Sequence, residues 1–124
     1  MKKLGRVLLA GLVAGALATS VQAIEYWTGG VGIESRAEAP MQNTTIEFFN
    51  VEGSYLAEIW FTLHNDRGEL LTEGLTDGPW VVAQLPDGNY RISGERLENG
   101  EVQTAFFRVA GNRHQIVGLK YQSE

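Results

Sequence analysis

Residues 56–64 read LAEIWFTLH, and the turn sequence NDRG follows directly at residues 65–68. Apolar side chains recur at every second position of the first stretch, which is the period of a β-strand with one buried face. That buried face is predicted to consist of Ala57, Ile59, Phe61 and Leu63. The opposite face carries Glu58, Trp60, Thr62 and His64. Because Asn, Asp and Gly favour turns, the stretch predicts a half-buried strand that ends at residue 65.

Turn sequences divide the rest of the chain at intervals of about 8–12 residues, which is typical of a sandwich or barrel. Asn99-Gly100 predicts a two-residue type I′ hairpin, because that turn needs positive φ at both central residues. The fold class is therefore predicted to be all-β: a single antiparallel β-sandwich of about seven strands with Greek-key connections. The predicted strands are residues 44–50, 56–64, 70–76, 80–85, 90–97, 101–109 and 115–121. The predicted core is Ile46, Phe48, Ala57, Ile59, Phe61, Leu63, Val81, Leu85, Tyr90, Ile92, Val109, Val117 and Leu119.

Composition limits the number of domains and the class of function. A chain of 124 residues is long enough for one domain, which usually takes about 100–200 residues. Fifteen Asp and Glu against ten Lys and Arg exclude a nucleic-acid module that binds through a basic surface. The absence of cysteine excludes disulfides, thiolate metal sites and a cysteine nucleophile.

The first 23 residues have the pattern of an export signal. Three basic residues precede an apolar run at residues 7–18, and Val21 and Ala23 fit the small-residue positions of a signal-peptidase site. We expect cleavage after Ala23 and, because the short basic start is of bacterial type, delivery to the periplasm. The run is shorter than the roughly 20 residues of a membrane-spanning helix, so no membrane span is expected after cleavage.

Two further parts are predicted after the leader. Residues 24–43 are expected to form an extended lead segment with one helical turn that lies across the sheet, and residues 44–124 the sandwich domain. Residues 24–124 contain seven Lys and Arg and fifteen Asp and Glu. The resulting negative charge favours solubility and disfavours binding to anionic lipid surfaces.

Residues 65–92 carry the motifs of a known family. The NDRG turn, a strand, and the string LPDGNYRI at residues 85–92 occur in that order. In this string Pro presets φ, Gly takes a position that disfavours side chains, and Tyr and Ile return to the core two residues apart. The segment resembles bacterial carboxypeptidase regulatory-like domains, which are transthyretin-like (prealbumin-like) sandwiches. The resemblance implies the fold of most of the chain, whereas the shared motif is turn chemistry and implies no activity.

One enzymatic branch of the wider superfamily does not match. The transthyretin-like hydroxyisourate hydrolases have a His–Arg–His arrangement and end in Tyr-Arg-Gly-Ser. This chain ends in KYQSE at residues 120–124, and neither of its two histidines lies in a matching motif. The resemblance therefore does not imply that activity.

No catalytic residue, metal ligand or cofactor is predicted from the sequence. The serines of residues 24–124 lie outside any Gly-x-Ser-x-Gly elbow, although a triad assembled in space is not excluded by sequence. His64 and His114 are too few and too far apart in sequence to form a zinc site, which needs three or four ligands. An unassigned hydrolase would need one of these histidines beside a carboxylate in a pocket.

The candidate ligand- or partner-binding residues are Trp60, Glu58, His64 and Trp80. Trp60 is predicted to face away from the core, where a large indole usually has a covering partner. Three partners are considered: the lead segment, a protein partner or second copy, and a sugar ring stacked on Trp60 and Trp80. We expect a non-catalytic periplasmic module with a protein-interaction or scaffolding role. A carbohydrate-binding module resembling starch-binding domains is the alternative, and the sequence does not predict the oligomeric state.

Overall fold

Two four-stranded sheets face each other across one apolar core. The computed structural model describes residues 24–123, so the predicted leader, residues 1–23, lies outside the described residues. Sheet A has the order β1-β5-β2-β8 and sheet B the order β4-β3-β6-β7. The elements are β1 (Trp27–Gly29), α1 (Gly32–Ala37), β2 (Thr44–Asn50), β3 (Ile59–Asn65), β4 (Leu70–Leu75), β5 (Trp80–Ala83), β6 (Gly88–Arg96), β7 (Val102–Val109) and β8 (Gln115–Tyr121). The all-β sandwich prediction is confirmed.

The sheets differ from the predicted antiparallel sandwich in one strand pair and in strand number. β2 and β8 run parallel over the whole length of both strands, from Thr44↔Gln115 to Asn50↔Tyr121. A parallel pair needs a long crossover, and here β3 to β7 supply it. The eighth strand is β1, which comes from the lead segment. The Greek-key and transthyretin-like assignments stay predictions.

The predicted core is confirmed except at Ala57, which is exposed. Glu58 has a φ of 59°, and it is the one non-glycine residue of the described chain with positive φ. Its N–H donates to the carbonyl of Thr76 at 3.1 Å, which holds the kink in place. Strand alternation therefore begins at Ile59 rather than at residue 56, and Ala57 precedes it.

The loop between β6 and β7 also differs from its prediction. Asn99 is not in the positive-φ region, whereas Gly100 has a φ of 78°. Arg96 N–H donates to the Glu101 carbonyl at 2.9 Å, and Gly100 N–H donates to the Arg96 carbonyl at 2.7 Å. The strands are thus joined by residues 97–100, a longer loop that ends in a left-handed glycine, instead of a two-residue type I′ turn.

The lead segment closes one open side of the sandwich. The Ile24 N–H donates to the Leu71 carbonyl on β4 at 3.2 Å. Tyr26 then packs edge-on against Phe61 in the core, with ring centroids 4.9 Å apart. β1 next pairs with β5 at the edge of sheet A. The lead segment therefore bridges both sheets before α1 and β2 begin.

Among residues 24–123 no helix is long and apolar enough to cross a membrane.

Candidate functional site

The outward-facing side chains of sheet B form a surface that we call the B face. Its strand order is β4, β3, β6 and β7, and strand register aligns side chains across it in three rows. The first row mixes apolar and acidic groups: Leu75, Trp60, Glu95 and Val102. The second row is polar: Glu73, Thr62, Ser93 and Thr104. The third row combines apolar and basic groups: Leu70, His64, Arg91 and Phe106.

Trp60 lies in the first row and is 41% exposed. Lead-segment contacts lie at the β4 edge, in the core and on sheet A, and none of them reaches this indole. Of the three partners considered for Trp60, the lead segment is therefore not supported by its contacts in this structure. Leu75 and Val102 in the same row are also exposed, so the first row presents three exposed apolar side chains beside Glu95.

Trp80 has the covering that Trp60 lacks. It lies on the outer face of sheet A, where its indole N–H donates to Glu47 Oε2 at 2.9 Å. A Cβ added to Gly30 would lie 2.9 Å from the Trp80 ring, so the lead-segment backbone rests directly on the indole. The Arg36 guanidinium lies 5.1 Å from the ring centroid, and its Nε donates to the Gly30 carbonyl at 3.0 Å.

The four candidate residues therefore do not form one site. Trp60 and Trp80 lie on opposite outer faces of the sandwich. Glu58 lies in the kink before β3, where its carbonyl accepts from Leu97 N–H at 3.3 Å. Only Trp60 and His64 share the B face. They are four residues apart on β3, which corresponds to about 13 Å along the strand.

His64 is half-buried on the third row, between β4 and β6. Its Nδ1 atom is buried without a hydrogen-bond partner. Burial lowers the pKa of His64, and the Arg91 charge lowers that pKa further, whereas Glu73 acts in the opposite direction. The neutral imidazole is therefore favoured at neutral pH.

His114 lies on the other side of the molecule. Its Nε2 is 3.1 Å from Thr45 Oγ1, and it lines a groove of about 430 Å³ between sheet A and residues 39–42. No carboxylate lines this groove. Within residues 24–123 no three His, Asp or Glu side chains come close enough to share a metal ion.

A cleft of about 810 Å³ that was not predicted from the sequence lies at the third-row end of the B face. The β3–β4 turn, the first half of β6 and the end of β7 line it. Three arginines lie around it, and we call it the cationic cleft: Arg67, Arg91 and Arg108. Asp66 is the one acidic residue in its lining. The two strand arginines lie in the hairpin that the sequence predicted, and strand alternation, which places both on one face, was the available signal.

Local turn chemistry explains how Arg67 reaches the cleft. Asn65 Oδ1 accepts from the N–H groups of Arg67 and Glu69, both at 3.0 Å. Gly68 follows with a φ of 80°, a conformation that L side chains rarely adopt. The predicted NDRG turn is confirmed, and it orders the backbone on both sides of Arg67.

The chain matches no protein-family model and no curated protein.

Proposed function

We propose that this protein is a non-catalytic binding module of the bacterial periplasm and that the B face binds a protein partner. Trp60, which is 41% exposed beside two other exposed apolar side chains, is the observation that carries the proposal. The same chain covers Trp80 with its own backbone and with Arg36, so an uncovered tryptophan is not a general property of this sandwich. Exposed aromatic residues that are grouped with other apolar side chains are typical of interaction surfaces.

The composition of the B face favours a protein over a glycan. Tryptophan, arginine and phenylalanine are enriched at protein interfaces, and here they occur with exposed leucine and valine and with charges of both signs. The sugar-binding alternative relied on two tryptophans on one surface. Trp60 and Trp80 are on opposite faces, so a stacked sugar would have a single indole.

The carboxypeptidase regulatory-like assignment and the export of the protein belong to the same proposal. Two facing sheets that contain the LPDGNYRI turn support the assignment. Tyr90 of that turn is buried, and its hydroxyl donates to the Pro86 carbonyl at 2.5 Å. Export predicts a periplasmic protein that begins at Ile24. Intact-mass measurement of protein from the periplasmic fraction tests this, and a mass that includes residues 1–23 would contradict it.

Site-specific photo-crosslinking in cells tests the interaction surface. A photoreactive amino acid replaces Thr62 or Thr104, which lie in the second row between the apolar groups. The matched control position is Lys120, which is exposed on β8 of sheet A. We expect one discrete adduct from both B-face positions and none from Lys120.

A second substitution shows whether Trp60 contributes to the adduct. Trp60→Ala is expected to lower the adduct yield about tenfold or more, which is the loss typical of an aromatic anchor. Ile116→Ala removes an exposed apolar side chain from sheet A and is expected to leave the yield unchanged. An adduct with the mass of two copies of this chain, or equal adducts from Lys120, would contradict the proposal. A Trp fluorescence change on titration with α-glucans that Trp60→Ala abolishes would favour the glycan alternative.

A further inference from the structure

We propose that the cationic cleft is a binding site for an organic anion, with a phosphate or carboxylate group held by Arg91 and Arg108 and an apolar group held by Phe106. This proposal concerns the third row of the B face and the adjoining turn, whereas the protein partner proposed above depends on Trp60 in the first row. Trp60 pairs with Glu95 on β6, and Glu95 is four residues, or about 13 Å along β6, from Arg91.

The charge distribution around the cleft is the reverse of that of the chain. Acidic residues outnumber basic ones by fifteen to seven in residues 24–124. Three of those seven basic residues nevertheless line one cleft whose lining contains a single acidic residue, Asp66. Three arginines that share one cleft with a single carboxylate in its lining indicate a place for an external anion.

Arg91 and Arg108 have no ion-pair partner among residues 24–123, where only Arg67–Glu69 and Arg96–Glu98 come within 4 Å. In the β6–β7 register Arg91 faces Phe106, and Arg108 faces Asn89. The two arginines are therefore diagonal neighbours, about 7–8 Å apart and within reach of one anion. Without an anion their like charges repel each other.

Arg67 adds a third guanidinium from the opposite wall. It pairs with Glu69 at 3.7 Å, and both side chains are exposed, so this surface ion pair is weak. Guanidinium groups match the geometry of phosphate and carboxylate oxygens and bind them with two parallel hydrogen bonds. An anion in the cleft would therefore compete effectively for Arg67.

The apolar part of the ligand follows from Phe106, which is 78% exposed beside Arg91. A phenylalanine this exposed at the mouth of a cleft offers its ring to the body of a ligand. The cleft volume of about 810 Å³ lies in the range of small-molecule sites, about 300–1,000 Å³, and exceeds what inorganic phosphate needs. Tyr90 and Phe107, which also line the cleft, stack at 5.6 Å on the core side of the same two strands.

Titration of the purified protein followed by ¹H–¹⁵N NMR tests the site. The probes are phenyl phosphate, inorganic phosphate, benzyl alcohol and phosphatidylglycerol vesicles. Phenyl phosphate represents a soluble ligand and the vesicles a lipid headgroup. We expect phenyl phosphate to shift the amide signals of residues 65–68, 89–91 and 106–108, to bind more tightly than inorganic phosphate, and to bind where benzyl alcohol does not.

Single substitutions test the assigned roles. Arg91→Gln and Arg108→Gln are each expected to weaken phenyl phosphate binding roughly tenfold, because each removes a charge-assisted contact. Phe106→Ala is expected to weaken phenyl phosphate but not inorganic phosphate. The matched control is Arg113→Gln, which removes an exposed charge outside the cleft and is expected to change binding less than about twofold. Melting curves establish that every variant is folded.

His64 provides an additional readout. It faces Arg91 on β6, and Glu73 is the other charged group that acts on it. An anion bound at Arg91 reduces the effect of that charge, so the NMR-measured pKa of His64 is expected to rise when phenyl phosphate is present.

Three results would overturn the proposal. The first is that neither phenyl phosphate nor the vesicles bind, and the second is that Arg113→Gln weakens phenyl phosphate binding as much as Arg91→Gln and Arg108→Gln do. The third is that phenyl phosphate shifts amide signals outside the cleft in place of those that line it. Vesicle binding that requires Arg91 and Arg108, without phenyl phosphate binding, would assign the anion to a lipid headgroup. Cross-linking at Thr62 without anion binding would refute the cleft and leave the partner proposal standing.

Discussion

The outer faces of sheets A and B each present a tryptophan, but the chain covers only one of them. Trp80 on sheet A contacts Gly30 and Arg36 of the lead segment and donates a hydrogen bond to Glu47. Trp60 on sheet B has cross-strand neighbours, Leu75 and Glu95, and nothing from the lead segment above it. The same strand alternation therefore produces a structural tryptophan on one face and an exposed one on the other.

Glycines at two close approaches make room for the lead segment, Gly74 on β4 of sheet B and Gly78 in the turn between β4 and β5. A Cβ on Gly78 would lie 2.3 Å from the Gly29 carbonyl oxygen, and a Cβ on Gly74 would meet the Tyr26 hydroxyl. The lead backbone also has local support, since Gly30 N–H donates to Ser35 Oγ at 2.9 Å. Covering an outer face thus requires a segment of chain that packs on it and glycines that let the backbones approach closely. In the described chain no segment packs on the B face in this way.

The largest expected effect separates the two sides of β3. Phe61→Ala is expected to lower the free energy of unfolding by about 3–5 kcal/mol, because Phe61 is fully buried and also packs on Tyr26. Trp60→Ala, at the next residue, is expected to cost less than about 1 kcal/mol because its side chain leaves no buried cavity. Urea unfolding measures both, and equal losses would show that the B face is not bare.

The second prediction compares the two tryptophans directly. Trp80→Ala is expected to cost about 2 kcal/mol, since a half-buried ring and its covering contacts are lost. Trp80→Phe keeps a ring under Gly30 but loses the bond to Glu47, and we expect about 1 kcal/mol. Thermal unfolding, calibrated by urea unfolding, measures the loss of stability in each variant. The loss is expected to be greatest for Trp80→Ala, smaller for Trp80→Phe and smallest for Trp60→Ala, and a different order would contradict the assigned coverings.

Much of this comparison follows from sequence and part of it does not. Period-two spacing placed Phe61 inside and Trp60 outside, because alternation is a local property of one strand. It also placed β2 and β8 at their observed bounds. The error at Ala57 arose because Glu58 is held in a positive-φ kink by Thr76, a residue that directly follows β4 and is distant in sequence. No local pattern contains that contact.

The site was harder to predict than the fold. Which outer face the lead segment covers depends on how β1 pairs, and pairing between distant strands leaves no trace in the local pattern. The cationic cleft joins Arg67 from one hairpin with Arg91 and Arg108 from another. The sequence predicted the second hairpin and the faces of its strands, but its two-residue turn would have paired Arg91 with Arg108, whereas the observed register pairs Arg91 with Phe106. The pairing of β3 with β6 brings in the third arginine.

A third prediction tests how the lead segment is attached. Gly74→Ala is expected to cost about 1–2 kcal/mol, because the new methyl group displaces the Tyr26 ring. In a Tyr26→Ala background the same change is expected to cost little, so the double-mutant cycle should give a coupling energy of about 1 kcal/mol. Additive losses would show that Tyr26 does not occupy the space above Gly74.

The smallest effect concerns the opposite side of the sandwich, where no lead segment lies and a carboxylate joins the sheets instead. Glu101, just before β7, accepts from Gln103 Nε2 at 2.8 Å, from Gln122 N–H at 2.7 Å, and from the hydroxyl and the N–H of Ser123. Ser123 and Gln122 follow β8 of sheet A. These hydrogen bonds, that of the Ser123 hydroxyl foremost, lower the pKa of Glu101 to about 2.

Because the folded-state pKa of Glu101 is below its unfolded value, its contribution to stability is complete above about pH 4.5 and is lost as the pH falls towards 2. We therefore expect the difference in melting temperature between wild type and Glu101→Gln to be greatest at pH 5–7 and to shrink as the pH approaches 2. Glu52→Gln, at an exposed turn position, is the matched control, and its difference from wild type is expected to stay small throughout. A Glu101→Gln difference that does not change with pH would mean that the neutral amide holds Ser123 as well as the carboxylate does. The link between sheets A and B at this side would then depend on the hydrogen bonds of residue 101 and not on its charge. In that respect it would be like the lead-segment side, where uncharged groups join the two sheets.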